Sequence, residues 1–145
     1  MNHDSTMADL LPAFLQEASE LLDEIDSQLA LLEIAPHNKN ILNVMFRNFH
    51  TIKGGAGFLN AFEIAHTDAL ITLCRLVETL LGQLRHQEVE LICNLHALIS
   101  ATTAEVRIMM NNLERQIELQ CPPQTLLHSL EIAVQNEQKN ASNRP

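Results

Sequence analysis

Between short polar breaks, apolar residues along this chain recur at three- and four-residue steps, the spacing of one buried face on an α-helix. Leu11, Phe14, Leu15, Ala18, Leu21, Leu22, Ile25, Leu29 and Leu32 form the first stripe. It predicts a helix capped at Asp9 or Leu11 and running to about Glu33, because Pro12 is tolerated in a first turn. Ile34 to His37, with Pro36, reads as a turn, and Asn38 as the cap of a second helix. That helix carries Ile41, Met45, Phe49, Ile52, Ala56 and Leu59, and Asn60 reads as its left-handed stop. A third helix is predicted from about Ala61 to Arg85. Phe62, Ala69, Leu73, Val77, Leu80 and Leu84 lie on one side of it, and Ile71, Arg75, Glu78 and Gly82 on the other. A fourth runs from about Glu88 to Glu118 through Ile92, Leu95, Ile99, Val106, Met109, Leu113 and Ile117, and Cys121-Pro122-Pro123 stops it. A short fifth helix, Thr125 to about Gln135, carries Leu126, Leu127, Leu130 and Val134. Residues 1–8 read as a loose leader and 136–145 as a polar tail or linker, leaving 9–135 as one helical domain. Four long stripes joined by short turns predict an all-α, antiparallel up-down four-helix bundle, which the fifth helix caps or extends.

Composition narrows the setting. The 145 residues include no tryptophan or tyrosine, so leucine and isoleucine must fill the core, as suits a helical bundle. A net charge of −9 argues against nucleic acid and anionic membrane surfaces as partners. No apolar run approaches the roughly 18 residues of a membrane span. MNHDSTMADL lacks the basic and apolar regions of a signal peptide. Three cysteines without C-x-x-C spacing fit a reducing, cytoplasmic setting.

The second helix has two faces of different character. At about 100° per residue, His50 lies roughly 140° from the apolar stripe. Arg47, Gly54 and Gly57 share its outward side, with Lys53 at the edge. Gly54, Gly55 and Gly57 would each cost an exposed helix roughly 1 kcal/mol relative to alanine. Their use there points to close approach by another surface beside a lone imidazole. Packing of helix on helix is the competing reading of the glycines, and an ordinary surface histidine that of His50.

The run Phe46-Arg47-Asn48-Phe49-His50-Thr51-Ile52-Lys53-Gly54-Gly55-Ala56-Gly57-Phe58-Leu59 resembles the phosphoacceptor helix of histidine phosphotransfer domains, above all those of the CheA chemotaxis kinases. AFLQEASELLDEIDSQLALLE and LCRLVETLLGQLR are similar to that family's first and third helices, so the resemblance covers about residues 10–118. It implies a domain that is not an enzyme by itself. His50 would accept a phosphoryl group from the ATP-binding domain of a histidine kinase and donate it to an aspartate of a response-regulator receiver. Lys53 would stabilise phosphoryl oxygens, Gly54 and Gly57 would admit the partners, and Glu78 would hold the second imidazole nitrogen. Arg47 would add attraction to an acidic receiver site. Arg75 stands where the family commonly has a supporting histidine; His66 is the rival for that role under another alignment, which puts Ala69 in the place of the glutamate.

Other chemistry finds little support. Glu63 and His66 have Glu-x-x-His spacing, but no second such pair exists for a di-metal site. Cys93 and His96 read as core residues, Met109-Met110 as core filler. Lys53-Gly54-Gly55-Ala56-Gly57 has the order of a phosphate-binding loop reversed. No metal or cofactor is expected, and a monomer is. The alternative from another class is a helical module that only docks or dimerises through its exposed glycine face.

Overall fold

The computed structural model describes residues 3–35, 38–61, 64, 67–87, 93–115 and 120–143. They form five helices: α1 (His3–Ile34), α2 (Lys39–Asn60), α3 (Thr67–Gln87), α4 (Cys93–Glu114) and α5 (Gln124–Asn143). No strand occurs among the described residues. Helix α1 packs on α2 and α4, and α3 packs on α2 and α4, which closes a four-helix ring. Helix α5 lies along α3 and α4. The fold is the antiparallel up-down bundle with a fifth helix that the stripes predict.

The α2 stripe is buried at every position from Ile41 to Leu59, with Met45, Phe49 and Ala56 fully enclosed. Asn38 caps this helix as expected. Its side-chain oxygen accepts hydrogen bonds from the Asn40 and Ile41 amides at 2.9 and 3.2 Å. Helix α3 is buried more widely than its stripe predicts, since Leu70, Cys74, Leu76, Glu78 and Leu81 are enclosed as well. The reason is position: α3 has α2, α4 and α5 around it. Two threonines of α4, Thr102 and Thr103, are buried and donate their hydroxyls to the carbonyls one turn back at 2.8 Å each. Met109 and Met110 are core residues.

Helix ends depart from the pattern reading. Helix α1 begins at His3 and carries Pro12 in its interior. The ring fixes φ at a helical value and forfeits one backbone bond, while Leu11, Phe14 and Leu15 pack against the core on either side of it. Asn60 is no left-handed stop: Ala61 ends α2 in a right-handed conformation, φ −65° and ψ −21°. The Asn60 side chain accepts a bond from the Thr67 hydroxyl at 2.9 Å instead, tying the end of α2 to the start of α3. Ala61 and Ile64 are not helical, and among the described residues α3 is helical from Thr67. Helix α4 ends at Glu114, just after the weak helix formers Asn111 and Asn112. Helix α5 runs on past Gln135 to Asn143, through a stretch without glycine or proline. Pro36, His37, Phe62, Glu63, His66, Glu88, Ile92 and Ile117, and the side chain of Cys93, lie outside the described residues.

The glycines divide into two kinds. A Cβ at Gly55 would overlap the Phe14 ring, so Gly55 lets α1 close on α2. A Cβ at Gly54 or Gly57 would meet nothing within 4 Å. Substitution by alanine should therefore act with opposite signs. Gly54→Ala and Gly57→Ala should each stabilise the fold by up to about 1 kcal/mol. Gly55→Ala should destabilise it, because overpacking of roughly 1–3 kcal/mol exceeds the same propensity gain. Urea unfolding of the three variants measures this, and three shifts of one sign would contradict it.

Candidate functional site

Helices α2 and α3 share the most extensive contact in the bundle. Along their outer seam each presents residues at helical spacing: Asn43, Phe46, His50 and Lys53 from α2, and Glu78, Gly82 and Arg85 from α3. Glu78 is the residue that joins them. Its Oε1 lies 2.9 Å from His50 Nδ1, and its Oε2 lies 2.7 Å from Lys53 Nζ. The carboxylate is enclosed, at 12% side-chain exposure, whereas the imidazole is 63% exposed. Lys53 is intermediate, at 27%.

An ionised carboxylate only accepts hydrogen bonds, so His50 Nδ1 carries the proton and donates it to Glu78. The neutral ring then holds its lone pair on Nε2, at the opposite edge. Burial pushes the Glu78 carboxyl upward, but the hydrogen bonds from Lys53 and His50, with their charges, outweigh it and leave the group below its usual range. The ionised state that fixes the His50 tautomer is thus the favoured one. Cys74, on the preceding turn of α3, is the converse case. Burial, together with the negative charge of Glu78 and against the opposing charge of Lys53, pushes its thiol up to about 12. Such a thiol is inert filler.

The other residues singled out in the sequence take different places. Gly54 and Gly57 stand on open ground beside His50, on the turns after it. Arg47 is exposed on the turn before it. Arg75 is exposed one turn ahead of Glu78, and neither Glu78 oxygen is turned to it. His66 lies outside the described residues. His96, read as a core residue, is partly buried and donates from Nε2 to the Leu29 carbonyl at 2.8 Å, tying α4 to α1.

Two features of the seam, and one on the other side of α2, escape the pattern reading. The Phe46 ring lies nearly parallel to the His50 ring, 4° between planes and 6.4 Å between centroids. The Arg85 guanidinium sits over Phe46, 4.6 Å from the ring centroid, and donates to Asn43 Oδ1 at 2.8 Å. Asn48, two residues before His50 and on the side of α2 that meets α1, is buried and donates to the Leu21 carbonyl and to Glu24. The i, i+4 relation of Phe46 to His50 was available as a signal; the contribution of Arg85 from another helix was not.

Among the described residues no group of three or more His, Cys, Asp or Glu side chains is placed to hold a metal ion. Among them, too, no helix is long and apolar enough to cross a membrane. The arrangement is that of an exposed nitrogen nucleophile with a fixed tautomer and a cation beside it, suited to an anionic electrophile.

Comparison with known proteins gives a family. The family model described as Hpt domain matches residues 9–116. The chain is 33% identical over 85 residues to the sensor histidine kinase CheAY of Helicobacter pylori. It is 36% identical over 87 residues to the chemotaxis protein CheA of Halobacterium salinarum. With CheA of Listeria monocytogenes it shares 26% over 105 residues. These matches take in 59%, 58% and 72% of this chain, but only 10%, 12% and 16% of the three relatives.

The lowered Glu78 pKa has a definite sign. Its ionised form stabilises the fold at pH values above the usual carboxylate range, and that contribution is lost as pH falls through the lowered folded value. The stability difference between wild type and Glu78→Gln should accordingly be greatest near neutrality and shrink in acid. Urea midpoints across a pH series measure it, and a difference independent of pH would contradict the ion-pair geometry.

Proposed function

We propose that this chain, which belongs to the Hpt domain family, is a relay in a chemotaxis-type phosphotransfer pathway with His50 as the phosphoacceptor. The observation that carries the reading is the bond from His50 Nδ1 to the enclosed carboxylate of Glu78, made beside Lys53. Nε2 attacks the γ-phosphorus of ATP held by the kinase domain of a histidine kinase. The N–P bond forms as the bond to the leaving oxygen breaks, and ADP departs with that electron pair. The phosphorylated ring then meets a response-regulator receiver. An aspartate oxygen attacks phosphorus, and the N–P electrons return to Nε2.

Each neighbour has a part in this scheme. Glu78 holds the tautomer and offsets the positive charge that the ring acquires as Nε2 bonds to phosphorus. Lys53 has three N–H donors, so one can serve Glu78 while another reaches a phosphoryl oxygen. Gly54 and Gly57 leave room for the partners, and Arg47 and Arg75 lend local positive charge to an acidic domain facing an acidic receiver site. The domain contributes the nucleophile, and the partners contribute metal and catalytic groups. A cytoplasmic, monomeric domain suits that traffic between partners.

Incubation with phosphoramidate followed by intact-mass measurement tests the reading. Wild type should gain one acid-labile, alkali-stable phosphoryl group, and His50→Gln none. Lys53→Met should gain it more slowly, by at least about tenfold, since a hydrogen bond to a charged group is worth roughly 1.5–3 kcal/mol. If neither phosphoramidate nor a CheA kinase core with ATP modifies His50, the relay is wrong and the glycine face is a docking surface.

A further inference from the structure

The bond to Glu78 fixes one edge of the His50 ring, but one hydrogen bond leaves the ring free to swing about it. A second restraint is needed to aim Nε2, and the seam contains one. Side chains on a helix lean toward its amino terminus, so His50 leans over the turn that carries Phe46. There the two rings lie within 4° of parallel, at a centroid spacing typical of offset aromatic pairs. Phe46 is itself held from the far side. Arg85 caps its ring at 4.6 Å and is anchored by Asn43. Against α3 the Phe46 ring lies over Gly82, where an added Cβ would stand 3.4 Å from the ring, in ordinary van der Waals contact.

We propose that Asn43, Arg85 and Phe46 form a positioning column that sets the plane of the His50 imidazole and closes its amino-terminal side. Phosphoryl donors and acceptors then reach Nε2 from the opposite side, over Gly54 and Gly57, where even an added Cβ would meet nothing within 4 Å. Phe46 and Arg85 act through His50 and need not touch the phosphoryl group. The column rests on the reading of His50 as phosphoacceptor, and it adds residues from two helices that the Glu78 contact does not involve.

Phosphorylation of the full chain by phosphoramidate tests it, because so small a donor has no docking surface to confuse with aim. Rates are taken as a function of donor concentration for wild type, Phe46→Leu, Phe46→Tyr and Arg85→Gln, each checked for folding by urea unfolding. Phe46→Leu should lower the maximal rate by about tenfold, short of the hundredfold that an ångström of misplacement can cost, with little change in the half-saturating concentration. Phe46→Tyr, which keeps the ring, should match wild type, and Arg85→Gln should fall between. A folded Phe46→Leu with the wild-type rate, or a Phe46→Tyr as slow as Phe46→Leu, would overturn the column while leaving His50 as acceptor. If Phe46→Leu does not fold, Arg85→Gln decides alone, since a wild-type rate there refutes the arm of the column from α3. A wild type that takes no phosphoryl group at His50 from either phosphoramidate or a CheA kinase core with ATP would refute both readings together.

Discussion

A single enclosed carboxylate organises the outer seam between α2 and α3. Glu78 comes from the most enclosed helix of the bundle, and its two oxygens are turned to two residues of α2 set three apart. Burial alone would favour the protonated acid and would release the tautomer, because a protonated carboxyl could donate to the imidazole instead of accepting from it. Lys53 and His50 reverse that preference. The ammonium and the imidazole N–H both favour the charged form, and the charged form dictates which ring nitrogen carries the proton. Ionisation, tautomer and the free ring nitrogen are therefore one coupled arrangement rather than three separate features.

The bundle exists to hold that arrangement at a fixed spacing. Phe49, Ile52 and Met45 bury one side of α2, which leaves His50 and Lys53 on the seam with α3. Leu73, Val77, Leu80 and Leu81 seat α3 so that Glu78 meets them. Gly55 contributes from the other direction, since the close approach of Phe14 depends on its missing Cβ. A helix with three glycines in four positions is costly in isolation, and here the cost divides between packing at Gly55 and open ground at Gly54 and Gly57. The sequence-based choice between packing and partner access resolves into one residue for the first and two that leave room for the second.

What periodicity could reveal was the face each helix buries in its own stripe. It placed His50 outward, the α2 core inward and Asn38 at the cap, because those properties depend on residues close in sequence. It could not tell what stands opposite a polar residue on another helix. Glu78 looked like one side of an ordinary amphipathic helix, and only the resemblance to a known family singled it out. Its enclosure follows from α3 having neighbours on three sides. Arg85 over Phe46 and the Asn60–Thr67 tie were hidden for the same reason. The ends of α1 and α5 misled differently: Pro12 and the polar stretch after Gln135 are unfavourable or neutral locally, and neither stops its helix.

The central claim is that Glu78 holds the proton on Nδ1 and leaves Nε2 to react. Nitrogen-15 NMR of the His50 ring, taken before and after phosphorylation by phosphoramidate, tests it most directly. The predicted result is an Nδ1-protonated neutral ring that becomes phosphorylated on Nε2. A ring protonated on Nε2, or a phosphoryl group found on Nδ1, would contradict the account.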